Sequence, residues 1–232
     1  MISKLPKWVW FGSAVLAFIA GTINTVGFLG FQHQGVTHLT GSTTLLGIAT
    51  ATGNLPNLTH LAAIIGSFLV GSIFGGILIP EDHLKLGNSY GIALLIESLL
   101  LCMAVPALEN GNSLGDYLAS CACGLQNGMA SNYSGAILRT THVSGIFTDL
   151  GMFIGHIIRR IPVDMRRVYL CIILLVSFFS GASLGAIGFA HFSYQTLYFP
   201  AVLTGGVGLA FRLYRHKHRK HGHSPTLHAP KP

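Results

Sequence analysis

Two copies of a short motif contain the residues best suited to chemistry. Residues 37–41 read Thr-His-Leu-Thr-Gly and residues 141–145 read Thr-His-Val-Ser-Gly, and each opens an apolar segment. Thr and Ser cap the free amides of a helix start, and such a start inside a membrane suits an anion or a polar molecule. The pair predicts a substrate site, with two helix caps at the membrane surface as the alternative. The predicted binding residues are Thr37, His38, Thr40, Gly41, Thr141, His142, Ser144 and Gly145.

Three carboxamides precede these motifs. Asn24 lies in the first apolar segment, and Gln126 with Asn127 lies in the fifth. A carboxamide within the hydrocarbon needs hydrogen-bond partners, because an unpaired one costs several kcal/mol. We therefore predict that these three residues either line the substrate site or join helices to one another.

Two acids, Asp149 and Glu97, fall in apolar segments, where an ionisable group often couples transport to protons or cations. His142, Asp149 and His156 share one helical face, but their spacing of about 10.5 Å per step is too long for a common metal site. Cys121-x-Cys123 is also too tight for usual zinc spacing. We predict no catalytic residue, no metal and no cofactor.

The composition limits which elements can carry these residues. Of 232 residues only 9% are charged, against roughly 25% in a soluble domain, and 50% are hydrophobic. No Asp, Glu, Lys or Arg occurs between Trp8 and Ile79, a run of 72 residues. These values exclude a soluble or disordered chain and predict an all-α polytopic membrane protein.

The chain repeats itself. Residues 37–47 and 141–151 are identical at six of eleven positions, and Gly-x-x-Asn at 21–24 parallels Gly-x-x-Asn at 124–127. We predict a single membrane domain of two homologous halves, about 8–108 and 114–213, followed by a basic, His-rich tail at 214–232. Eight apolar segments are expected, approximately 8–31, 38–53, 58–79, 90–108, 114–131, 141–158, 168–190 and 195–213.

Segments 38–53 and 141–158 are shorter and more polar than the others, which leaves two topologies. Either all eight segments cross and the halves are parallel, or these two are half-helices, six spans remain and the halves are inverted repeats. We favour the inverted arrangement. The positive-inside rule places both termini and the Arg-rich link at 159–167 in the cytoplasm. The tail is expected to bind anionic lipid and no nucleic acid. The sequence is compatible with both a monomer and a homo-oligomer.

The motifs resemble those of the YoaK-like bacterial membrane proteins, a family catalogued as domain of unknown function 1275. The most specific part of the resemblance is Thr-Thr-His-Val-Ser-Gly-Ile-Phe-Thr-Asp-Leu-Gly at 140–151, and the likeness spans about residues 8 to 213. The resemblance implies a bacterial inner-membrane protein of six to seven or so spans, grouped with small-molecule transporters or exporters. It implies no particular substrate.

We therefore predict a secondary transporter or exporter of a small polar or anionic molecule, in which Asp149 or Glu97 couples protons or cations. One alternative is a membrane-embedded enzyme that uses His38, His142 and Asp149. The other is a non-transporting membrane scaffold or sensor with the tail as its lipid or partner dock.

Overall fold

The fold is taken from a computed structural model that describes residues 7–30, 35–37, 39–79, 88–134 and 140–220. Within these ranges it contains α-helices, one 3-10 helix at Ser193–Leu197, and no strand. The α-helices are α1 (Lys7–Leu29), α2 (Leu39–Ala51), α3 (Leu55–Leu78), α4 (Asn88–Glu109), α5 (Leu114–Ser134), α6 (Val143–Ile158), α7 (Met165–Phe192) and α8 (Tyr198–Lys220). The predicted all-α architecture is confirmed, and α8 continues past residue 213 into the predicted tail.

Local chemistry sets several of these boundaries. The side chain of Asn54 accepts a hydrogen bond from the Asn57 amide, and Pro56 lies in the first turn of α3, where its missing N–H costs nothing. Asp164 caps α7 in the same way, through the amide of Arg166. At Ser193 a positive φ of 51° ends α7, and the chain passes through the 3-10 helix into α8.

Length and hydropathy separate long helices from short ones. Four stretches of the described chain are long and apolar enough to cross a membrane: Val9–Leu29, Leu55–Leu78, Ser89–Glu109 and Met165–Leu213, which takes in both α7 and most of α8. Helices α2 and α6 have 13 and 16 residues, less than the roughly 20 that a crossing needs. Large apolar side chains cover the outside, Phe11, Ile77, Phe179 and Val202 among them, as lipid contact requires.

The closest helix contacts are made by glycine. A Cβ at Gly21 of α1 would collide with the Phe178 carbonyl oxygen of α7, and one at Gly181 would collide with that of Phe18. Between α5 and α3 the same relation holds, because Gly124 lies on the Phe68 carbonyl and Gly71 on that of Cys121. Small residues let the helix backbones touch, which is how membrane helices gain packing energy.

The contacts between helices also fix their directions. Helix α1 runs parallel to α7, since Phe18 faces Gly181 and Thr22 faces Gly185. Helix α3 runs parallel to α5, since His60 bonds Tyr117 at one end and Asn132 bonds Ile79 at the other.

Helix α4 is antiparallel to two neighbours. Against α5, Glu97 meets Gln126 and Leu108 meets Gly115. Against α8, Gly91 meets Gly208 and Ser98 meets Ala201. Helix α1 is antiparallel to α8 as well. Its end at Gly30 lies against Tyr194 of the 3-10 helix that precedes α8, whereas Tyr90, which shares a cluster with Val9 at the start of α1, packs on Phe211 near the end of α8. Helices α1, α4 and α7 therefore run one way, and α3, α5 and α8 run the other way.

Candidate functional site

The first motif copy is anchored to α1 by an amide of its own half. Asn24 is buried near the end of α1, and its Oδ1 accepts a hydrogen bond of 3.4 Å from the Thr37 amide. Thr37 is 1% exposed, and its Oγ1 has no partner among the described residues. Behind it, the Ser42 hydroxyl donates to the Gly35 carbonyl at 3.4 Å and steadies the first turn of α2. We call the Asn24–Thr37 contact the first joint.

The second copy is anchored to α5 in the corresponding way, with more bonds. Asn127 Nδ2 donates to Thr141 Oγ1 at 2.8 Å, and Asn127 Oδ1 lies 3.4 Å from the hydroxyl of Thr140. Thr140 and Thr141 are both buried immediately before α6. We call the contacts of Asn127 with Thr140 and Thr141 the second joint.

A buried acid extends the second joint into the bundle. The Thr140 hydroxyl also lies 3.3 Å from Gln126 Oε1, and Gln126 Nε2 donates to Glu97 Oε1 at 2.9 Å. Gln126 is 1% exposed and Glu97 is fully buried, so the chain of bonds runs from the core to the start of α6. The first joint has no such extension, because Ile23 stands where the second half has Gln126.

The two joints lie toward opposite faces of the bundle. Asn24 precedes the end of α1 at Leu29 by five residues, and Asn127 precedes the end of α5 at Ser134 by seven. Since α1 and α5 run in opposite directions, each joint lies between one and two turns inside a different face. Within the described residues α2 packs on α3 and α6 packs on α7, and the two short helices do not touch each other.

The start of α6 lies halfway along α7. Val143 and Phe147 line an apolar cavity with Phe179 and Ala182, close to the midpoint of α7. The His142 ring folds over Gly145, where a Cβ would collide with the imidazole. A short helix that begins at such a depth leaves its first amides midway between the two ends of the bundle rather than at one of them.

The remaining predicted site residues lie on exposed surfaces or outside the described chain. Thr40 on α2 is exposed, and so are His142, Ser144, Asp149 and His156 on or before α6, while Gly41 and Gly145 are half-buried. His38 lies outside the described residues. Asp149 faces away from the core of the bundle, so the predicted stripe of His142, Asp149 and His156 is an outer face of α6.

Sequence reasoning overlooked Thr140 and the contact between Glu97 and Gln126. A signal for Thr140 existed, because it follows Asn127 by thirteen residues just as Thr37 follows Asn24. In the described part of the chain, no group of three or more His, Cys, Asp or Glu side chains is placed to hold a metal ion.

Apolar helices of membrane-crossing length, with amides and an acid bonded in the interior, define a polytopic helical membrane protein. The chain belongs to the family described as protein of unknown function (DUF1275), whose model matches residues 12–210. The resemblance noted in the motifs is thereby confirmed. No curated protein and no solved structure matches the chain.

Proposed function

We propose that the protein is a secondary transporter or exporter of a small polar or anionic molecule, built from two inverted halves. The observation that carries the proposal is the pair of joints. Each ties the start of a short helix to an Asn of a long helix, and the two long helices run in opposite directions. Inverted repeats with interrupted helices are a common construction of secondary transporters.

The helix directions support the inverted arrangement. The first half runs as α1, α3 and α4, and the second half runs as α5, α7 and α8, each of these helices opposite to its counterpart. The glycine contacts correspond too, since Gly21 meets Phe178 as Gly124 meets Phe68. Helices α2 and α6 enter the bundle without crossing it. Helix α5 is less apolar than the four stretches named above, but its 21 residues are long enough to cross, and with α5 this arrangement has six spans.

Charge supports an orientation with both termini in the cytoplasm. The link before α7 contains Arg159 and Arg160, and the first turn of α7 contains Arg166 and Arg167. The opposite end of the bundle carries Glu109 and Asp116 around the link between α4 and α5. Cytoplasmic ends of membrane helices are enriched in Lys and Arg, which supports this orientation in the bacterial inner membrane.

In this proposal the joints act as two gates. Thr37 and Asn24 bind the passing molecule near one face, and Thr141 and Asn127 bind it near the other. The Thr37 hydroxyl, which has no hydrogen-bond partner among the described residues, is available to bond the passing molecule at the first gate. In this proposal the same two gates include the other residues predicted to bind substrate, which are His38, Thr40, Gly41, His142, Ser144 and Gly145.

Counterflow in proteoliposomes tests the proposal and identifies the cargo in the same experiment. A library of small anions and polar metabolites is screened for stabilisation of the purified protein against heat, and each hit is loaded into vesicles to drive uptake of its radiolabelled form. We expect at least one hit to give counterflow that Asn24→Ala and Asn127→Ala each reduce at least tenfold. Asn132→Ala, which alters a different contact of α5, should leave counterflow intact. Stabilising hits that all fail to exchange would contradict the proposal.

A further inference from the structure

Glu97 occupies an unusual place for an acid. It lies in the middle of α4, is 0% exposed, and is enclosed with Leu94 and Leu101, which are also fully buried. A carboxylate in such surroundings costs several kcal/mol unless it is paired or neutralised. No described Lys, Arg or His side chain forms an ion pair with it.

Its two oxygens have different surroundings. Oε1 accepts the hydrogen bond from Gln126, whereas Oε2 is buried and has no partner in the described structure. From α5 the titratable group that faces Glu97 is the thiol of Cys123, which interacts with it electrostatically. Opposite this part of α4, helix α8 presents Ala201 and Gly205 beside Ser98.

Among the described residues, the other elements packed on α4 bring no further charged side chain to this place. The histidine of α3 that the structure describes, His60, bonds Tyr117 near one end of the bundle. The 3-10 helix meets α4 through Gln195 and Glu109 at the same end, and Tyr194 packs on Phe189.

This environment suits a proton and not a metal cation. Hard cations such as Ca²⁺ or Mg²⁺ take six or more oxygen ligands, and a carboxylate oxygen that already accepts an amide N–H is a poor member of such a set. A proton needs one oxygen. It would bind at Oε2, cancel the charge, and leave to water when the bundle opens.

We propose that Glu97 is the proton-binding group of this protein, and that its proton controls how firmly the start of α6 is held. The carboxylate accepts strongly from Gln126 Nε2 and so keeps Gln126 Oε1 turned toward the Thr140 hydroxyl, which completes the second joint. The neutral carboxyl is a weaker acceptor, and its own O–H can donate to Gln126 Oε1, so protonation weakens that joint. The coupling role rests on the proposed transport function, but proton binding at Glu97 does not.

Infrared difference spectroscopy of the full-length protein in lipid tests the site directly. The difference spectrum between acidic and alkaline buffer should contain a carboxyl C=O band that shifts in D₂O. We expect Glu97→Gln to abolish the band and Glu97→Asp to move it. Asp116→Asn and Asp149→Asn should leave it in place, and sodium chloride should not change it. A band that survives Glu97→Gln, disappears in Asp149→Asn or responds to sodium overturns the proposal.

Hydrogen exchange tests the link to α6. After correction for the intrinsic pH dependence of exchange, amides 142–147 should exchange about tenfold faster when Glu97 is protonated, the size expected for one lost hydrogen bond. In Gln126→Leu the acid remains, but this acceleration should be absent. Equal acceleration in wild type and Gln126→Leu would refute the link.

The outcome separates this inference from the transport proposal. If the band belongs to Glu97 and no compound gives counterflow, the proton site stands and the transporter does not. If counterflow occurs and is equally driven by a pH gradient in Glu97→Gln, transport stands and the coupling role of Glu97 is refuted.

Discussion

At the scale of single residues, the second joint differs from the first in strength. Asn127 uses both ends of its carboxamide, as donor to Thr141 and as neighbour of the Thr140 hydroxyl, whereas among the described residues Asn24 makes one bond, to a backbone amide. A carboxamide can donate and accept hydrogen bonds at the same time, so its removal leaves buried groups unpaired. In the described part of the chain, the long helix therefore contacts the threonine side chains before α6 and the Thr37 backbone before α2.

Removal of the Asn127 carboxamide should loosen the beginning of α6. In Asn127→Ala we expect amides 142–146 to exchange with deuterium roughly five- to thirtyfold faster, because about 1–2 kcal/mol of local stability is lost. Hydrogen-exchange mass spectrometry measures this in lipid or detergent. Asn132→Ala removes an amide bonded to the Ile79 carbonyl, and it should leave the start of α6 unchanged. Equal exchange in both variants would mean that the second joint does not hold the helix.

Residue types in the sequence anticipated part of this chemistry. Asn24, Asn127 and Gln126 were expected to be bonded because hydrocarbon tolerates no free amide, and the structure pairs each of them. The pairing of Gln126 with Glu97 could not be predicted from the sequence, because it depends on how α4 and α5 are rotated about their axes. Asp149 sits in an apolar segment like Glu97, yet it faces outward. Its predicted coupling role stays a prediction.

At the scale of helices, four glycines lie where an added Cβ would collide with the backbone of the neighbouring helix. Gly71 of α3 lies against the Cys121 carbonyl of α5, while Gly66, little more than one turn earlier, has nothing within 4 Å of its Cβ position. The same helix thus offers a crowded glycine and an open one.

The two positions should respond differently to the same substitution. Gly71→Leu should lower the free energy of unfolding by about 1–3 kcal/mol or more, because α3 must move away from α5. Gly66→Leu should change it by less than about 0.5 kcal/mol. Unfolding of the purified protein, followed by circular dichroism in mixed micelles, measures both. Similar losses at both positions would show that this contact contributes little.

The sequence predicted where the helices lie along the chain more accurately than which helices pack against each other. Segments 58–79 and 114–131 correspond to α3 and α5, because hydropathy and the Asn-Leu-Pro-Asn and Gly-Asn-Ser turns mark their ends. The spacing of Gly71 and Gly75 in α3, and of Gly181 and Gly185 in α7, predicts a packing surface on each helix. Which helix covers each face was not, because any small-residue face fits any other.

At the scale of the whole molecule, the links divide between two ends. The turns at 52–54 and 110–113 and the 3-10 helix share one end, as the bonds His60–Tyr117 and Gln195–Glu109 require. The link at 159–164 lies at the other end, beside the start of α1, since Val9 shares a cluster with Leu170.

Labelling of single cysteines on intact cells tests this division. In a background where the four native cysteines are replaced, a membrane-impermeant maleimide should label Thr52→Cys and Asn110→Cys from outside. Ile161→Cys should react only after the cells are opened. These three side chains are exposed, so a lack of access reflects the membrane and not burial. Labelling of Ile161→Cys together with Asn110→Cys would refute the six-span arrangement.

The exchange of partners between the two halves has a historical consequence. Each glycine-lined pair takes one helix from each half, α1 with α7 and α5 with α3, so a half alone would expose both of its faces. If one gene gave rise to both halves, its product had to insert into the same bilayer in both orientations, and two oppositely oriented copies had to assemble with each other. Fusion would then have fixed one copy in each orientation, and in the present chain only the second half has the glutamine that bonds to an acid.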